Sequence, residues 1–217
     1  MEDVTVGSGP MAPRRGRPPV SERQRRHRRL DISRHAVRLF AAQGVAATSG
    51  EQIARAAGVS ERTLWRWFPS KESCVEPLLT QSVAAFQEVL RAWPAQADLT
   101  EHLRASYRPA PDGSSDGDAE AVLTVIRMTR DEPGLRAVYL VLRERAEETF
   151  AEVLADRAGG SADLLDVRMR AATMSAVLKV TTDDLARAVA EKGITPEALR
   201  SHREQLADAL SHVTRGL

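Results

Sequence analysis

Cysteine is almost absent. Cys74 stands alone among 217 residues, which excludes an internal disulfide framework and a cysteine-built zinc cluster and fits a reducing compartment. Aromatic residues are scarce, at 4% against 42% hydrophobic residues overall, so a core has to be assembled mainly from Leu, Val, Ala and Met. The five histidines show no metal-ligand spacing, so no metal and no cofactor are expected. No apolar run approaches the ~20 residues that span a bilayer. Residues 1–13 lack the apolar core of a signal peptide. These absences lead us to expect a soluble, cytoplasmic protein with no membrane partner. Alternating apolar and polar residues never persist long enough for a strand. No nucleophile–base pair, phosphate loop or metal motif speaks for an enzyme.

What is present is helix-forming sequence, rich in Ala, Leu, Arg and Glu, and an uneven charge. The net charge of +1 hides a division: residues 1–74 carry +7 and residues 75–217 carry −6. One end is suited to meet a polyanion and the other is not. Uneven surface charge is common in two-part proteins, so this feature alone does not assign a partner.

The chain divides by composition into a disordered basic arm (1–21), a small helical unit (22–72) and a larger helical region (73–217). Eight arginines crowd 14–29, with Glu22 the only acid among them. A first helix follows the arm, with Leu30, Ile32, Val37, Leu39, Phe40 and Ala41 along it, and stops at Gly44. Ser49, with Gln52 three residues on, can cap a short second helix to about Ala57. Gly58 breaks it. Ser60 caps a third helix that ends at Phe68 before Pro69. Ser70 can open a fourth, from Lys71 to about Ala92, with Pro77 in its second turn as a possible kink or hinge. Further helices are expected near 98–107, 119–130, 134–157, 161–192 and 195–214.

The segment Ser49–Phe68, SGEQIARAAGVSERTLWRWF, has the pattern of a helix-turn-helix. Gly58 supplies the positive φ that a tight turn needs. Ile53, Ala54, Ala57, Val59, Leu64 and Phe68 form its inner face. Glu61, Arg62, Thr63, Arg66 and Trp67 remain outside, a polar and cationic face suited to the major groove. Nine residues at ~1.5 Å rise span ~13 Å, close to the groove width. An ordinary helical hairpin does not explain the glycine turn, this outer face and the upstream arginines together.

From Leu30 to Leu79 the chain resembles the N-terminal domain of TetR-family transcriptional regulators. The residues that carry this are Ala36, Leu39-Phe40, Gly44, Thr48-Ser49, Ile53-Ala54, Ala57-Gly58-Val59-Ser60 and Thr63 through Glu72. The resemblance implies an all-α homodimer that represses, or sometimes activates, nearby genes and is released from double-stranded DNA by a small molecule. Carried over by position, Thr63 and Trp67 contact phosphates, Arg62 and Arg66 lie near base edges, and Lys71 meets a phosphate. Ser49, Gly50, Glu61 and Trp65 complete the candidate DNA surface. Five residues, in four departures, differ from the family pattern: Gly50 replaces a larger residue, Trp65 and Trp67 replace Tyr or His, Cys74 replaces Leu, and Pro77 falls inside a helix.

Arg14, Arg15 and Arg17, in an Arg-Gly-Arg context, could follow a narrow minor groove; a solvated tail adding non-specific affinity is the alternative. Phe86, Trp93, His102, Tyr107, Met128 and Tyr139 are candidates to line an effector pocket, and the Leu/Val/Met-rich composition suits an apolar ligand. Plain core packing explains each of them equally well. Ala171, Ala172, Ser175 and Ala176, with the stripe Leu199, Leu206, Leu210 and Val213, point to dimerisation through the last two helices. Cys74 reads as a packing residue. An activator, or a regulator without a ligand, remains an alternative within DNA binding, and a helical enzyme or adaptor remains one outside it.

Overall fold

The computed structural model describes residues 21–109 and 116–214. Every regular element among them is helical: α1 (Glu22–Gln43), α2 (Gly50–Ala56), α3 (Glu61–Trp67), a 3-10 turn (Glu72–Val75), α4 (Glu76–Arg91), α5 (Leu99–Ser106), α6 (Asp116–Met128), α7 (Pro133–Ala158), α8 (Leu165–Lys192) and α9 (Pro196–Thr214). The all-α expectation holds. None of these helices is long and apolar enough to cross a membrane.

Local capping sets the first three helices. Ser21 and Gln24 form a reciprocal capping box, so α1 starts at Glu22 and Arg23 to Arg29 are already helical. The expected helix start after Arg29 is therefore too late, because the cap lies upstream of the arginines. Ala41, expected on the inner stripe, faces solvent. Ser49 and Gln52 form the same box at α2, and Ser60 caps α3 by accepting the Thr63 N–H at 3.2 Å.

The fourth helix differs from its expected form. Ser70 and Ser73 bond reciprocally and open a 3-10 turn, not an α-helix from Lys71. The α-helix begins at Glu76, which puts Pro77 in its first turn. There the missing N–H has no intrahelical acceptor to lose, so the proline needs no kink.

Two apolar cores follow one another along the molecule. The first joins Phe40, Ile53, Leu64 and Phe68 to Val75, Leu78, Ile126, Leu135 and Leu185, so it runs from α1–α3 into α4, α6, α7 and α8. The second gathers Phe86, Leu90, Leu103, Phe150, Met174, Leu206 and Leu210 from α4, α5, α7, α8 and α9. Each fully buried large side chain contributes roughly 1.5–3 kcal/mol. Leu206 and Leu210, expected to face a partner, have no exposure at all. The α9 stripe packs against α5 and α8 of its own chain because those helices offer the nearest apolar surface. The outer side of α9 is polar, with Glu197, Arg200, Gln205 and Asp208 exposed, and Val213 has no described side chain. The exposed large apolar residues instead include Leu165 (69%), Met169 (61%) and Val180 (58%) on α8, and Leu140 and Val141 on α7.

Candidate nucleic-acid interface and effector cavity

The α2–α3 pair is a compact reading head. Gly58 sits at φ 64°, which lets the Val59 N–H reach Ala54 O at 3.0 Å and the Gly58 N–H reach Arg55 O at 3.2 Å. Ile53, Leu64 and Phe68 are sealed beneath it. On the outer side, Glu61, Arg62 and Arg66 are exposed and Thr63 is half-buried. The Thr63 hydroxyl lies 3.0 Å from that of Ser60, so part of its hydrogen-bonding capacity serves the cap. Ser49 likewise serves the α2 cap.

Three candidates differ from the expected exposed, free contact. Trp67 is half-buried against the first core, with the Arg66 guanidinium 5.7 Å from its ring centroid. Gly50 is buried, and the Trp65 indole occupies the space a side chain there would need. Lys71, expected at a phosphate, donates its ammonium to Val45 O at 2.6 Å and Thr48 O at 3.0 Å. It ties the α1–α2 loop to the start of the 3-10 turn, because those carbonyls are the acceptors within its reach. Arg29 is also engaged, lying 5.1 Å from the Phe68 ring centroid and 3.5 Å from Glu76. Arg14, Arg15 and Arg17 lie outside the described residues.

A cavity of about 360 Å³ opens among α4, α6, α7 and α8, within the size range of small-molecule sites. Phe86, Tyr107 and Tyr139 line it. Trp93, His102 and Met128 do not. Trp93 donates its indole N–H to Ala97 O at 2.9 Å and is covered by Arg157 at 3.4 Å. His102 donates to Val89 O at 2.7 Å, and Met128 packs on the first core. Each is held by a local partner away from the space.

Sequence reasoning missed Arg143, His202 and Asp118 on the wall. It assigned Ala171 and Ser175 to pairing, but both are buried within the chain and Ser175 lines this wall. Arg143 had a readable signal: it is a charge on the buried stripe Leu135, Tyr139, Leu142, Ala146 and Phe150 of α7. His202 and Asp118 had none. His202 Nδ1 donates to Thr181 O at 3.1 Å, which leaves Nε2 to accept from the Tyr107 hydroxyl at 3.4 Å. Burial holds the His202 pKa down to about 4, so the ring is neutral near pH 7. Burial also raises the Tyr107 and Tyr139 pKa values. Cys74 is buried, its pKa pushed up to about 12 by that burial, so its thiol stays protonated.

An ion pair connects this wall to the reading head. Arg34 of α1 binds Asp118 of α6 through both carboxylate oxygens, at 2.7 and 2.8 Å, and Asp118 is buried. The bond to Asp118 is the main cause of a raised Arg34 pKa. The same α1 carries Ile32, Ala36, Val37 and Phe40 into the core of the head.

Residues 32–78 match the family profile described as "Bacterial regulatory proteins, tetR family". The chain is 32% identical to the HTH-type transcriptional regulator TcmR of Streptomyces glaucescens over 151 residues, covering 67% of each protein. Its fold is similar to that of GusR from Salmonella enterica, with a TM-score of 0.55 and 21% identity over 88% of this chain and 98% of that one. It is also similar to that of Thermus thermophilus FadR, solved with lauroyl-CoA, with a TM-score of 0.52 and 23% identity over 87% and 94% of the two chains.

Proposed function

The chain belongs to the TetR family of bacterial regulatory proteins, and from that membership we propose that two copies grip a pseudo-palindromic operator through α3 and are released when a small molecule fills the cavity. The protein is a DNA-binding transcriptional regulator. Repression is the mode we assign. Residues 22–72 form the reading head, 73–217 form the regulatory and pairing region, and 1–21 form a basic arm that adds grip.

On this reading Arg62 and Arg66 reach base edges in the major groove. Thr63, Trp67 and the capped start of α2 at Ser49 and Gly50 lie along the phosphates. One short α3 reads few base pairs, so a two-fold pair is the geometric expectation. We place the pairing surface on α8, where Leu165, Met169, Ala172, Ala176 and Val180 face outward at helical spacing.

The observation that carries the ligand response is the Arg34–Asp118 pair. It makes one side of the cavity and the helix behind the reading head share a single charged contact. A ligand that displaces α6 therefore acts on α1, and binding at one site biases the other. FadR, of like fold, was solved holding lauroyl-CoA, which supports a small-molecule role for this cavity.

The test is fluorescence anisotropy with DNA from upstream of the chain's own gene. The protein should bind with a steep salt dependence, and Arg62→Ala/Arg66→Ala should remove specific binding. Absence of binding at low salt for the intact chain would sink the proposal.

A further inference from the structure

The cavity contains a buried positive charge, Arg143, for which the described residues supply no counter-charge. Arg143 is 8% exposed. Its Nη2 donates to the Ser175 carbonyl and, at 2.7 Å, to the Ser175 hydroxyl, and its guanidinium lies 5.7 Å from the Tyr139 ring centroid. Both partners are neutral. Among the described residues no carboxylate lies within ion-pair distance of Arg143. Asp118, on the wall, is held by Arg34 at 2.7 Å. Asp183, close enough to act on Tyr139, is held by Lys179 at 2.5 Å. His202, on the wall, is neutral, and Arg108 at the rim adds charge of the same sign.

An ion removed from water is unfavourable unless paired. A guanidinium presents five donors in a fork that matches an oxyanion, and Ser175 and Tyr139 together cannot occupy them all. Around it the wall is apolar: Leu78, Val122, Leu123, Leu142, Phe150 and Leu178. Such a site suits an apolar body with one anionic end.

We propose that the effector is an apolar organic anion, its carboxylate, sulfonate or phenolate oxygens received by Arg143 and Ser175 and its body lying between Phe86, Phe150 and Leu123. This rests on the reading of the cavity as the effector site. It separates the effector class from neutral and cationic hydrophobes, which would leave the guanidinium unpaired.

The experiment uses two dyes of one skeleton on the full chain, each followed by fluorescence: 8-anilinonaphthalene-1-sulfonate and its neutral counterpart N-phenyl-1-naphthylamine. The sulfonate should bind the wild-type protein at least about tenfold tighter, as a charge-assisted contact requires. Arg143→Met should reduce that ratio to about twofold, and Arg143→Lys should retain part of it. Val122→Trp, which fills the space, should abolish sulfonate binding.

Equal affinity for the two dyes in the wild-type protein overturns the inference without need of any variant. So does a ratio unchanged in Arg143→Met, or sulfonate binding that survives Val122→Trp. If the neutral dye binds as well as the anion and Val122→Trp removes both, the cavity remains an effector site and only the anionic class is lost. If neither dye binds, the reading of the cavity falls as well.

Discussion

Gly50 and Trp65 occupy one space: a Cβ built on Gly50 would lie 2.0 Å from Cζ2 of the Trp65 indole. The indole closes over the start of α2 because residue 50 has no side chain there. Both departures from the family pattern are therefore one feature. Trp65 is 44% exposed, so it can swing outward when obstructed. Gly50→Ala should cost about 1 kcal/mol in the wild-type background, the displaced indole outweighing the better helix propensity of alanine. In a Trp65→Ala background the same change should be neutral or stabilising by up to ~1 kcal/mol. Urea unfolding of the four proteins measures this, and equal costs in both backgrounds would show that the pair does not interact.

The cations of the head should separate into two kinds. Arg62→Ala and Arg66→Ala should each weaken operator binding by ~1–3 kcal/mol while leaving folding stability nearly unchanged. Lys71→Ala should do the reverse. Its ammonium holds Val45 O and Thr48 O, so its loss frees the α1–α2 loop at about 1–3 kcal/mol of stability. Its effect on the salt slope should be well below the ~0.9 expected for a lost phosphate contact. A full phosphate-sized change in slope for Lys71→Ala would place it back on the DNA.

These two cases also mark what was legible in the sequence. Ser49, Gln52, Gly58 and Ser60 act within three or four residues of themselves, so the caps and the turn of the head could be read directly. Lys71 finds its acceptors 23 and 26 residues away, and Arg34 finds Asp118 at a separation of 84. No local pattern encodes such partners. The amphipathic stripe of α9 was real, but periodicity states only that a face is buried, not whether its own chain or a second copy buries it. Trp93 fails as a pocket residue for the same reason: its size said core, and Ala97 and Arg157 decided which part of it.

The Arg34–Asp118 contact should be measurable as a coupling energy. Arg34→Gln leaves a buried carboxylate without its bidentate partner and should destabilise by about 3 kcal/mol. Adding Asp118→Asn should recover part of that loss, because the carboxylate charge that Arg34 balanced is then gone as well. The double variant should hold DNA yet respond less to whatever fills the cavity, since the shared contact is gone. Losses that simply add would show that the two residues act independently.

His202 gives the stability a defined pH dependence. Its folded pKa is lowered to about 4 from the ordinary 6.5. Between those values the unfolded chain takes up a proton that the folded chain does not. The contribution is therefore complete above pH 6.5 and is lost as pH falls towards 4, by about 3 kcal/mol in all. His202→Gln should flatten this part of the profile, whatever it does to stability at pH 7. An acid-side slope identical in the two proteins would assign the dependence to other groups.

Pairing through α8 is tested by a charge placed on its outward face. Met169 is 61% exposed and Val180 is 58% exposed in the single chain, so glutamate at either position meets no crowding within the protomer. Met169→Glu/Val180→Glu should leave the monomer's helicity unchanged. It should still halve the mass seen by sedimentation, since like charges would face each other without partners across a two-fold axis. Operator affinity should fall far more than through any single α3 substitution, because each copy would then bind its half-site alone. Gln205→Glu on the polar outer side of α9 is the control, expected to leave mass and affinity unchanged. If Gln205→Glu dissociates the pair and the α8 substitutions do not, the interface lies on α9 and its buried stripe merely supports it from behind.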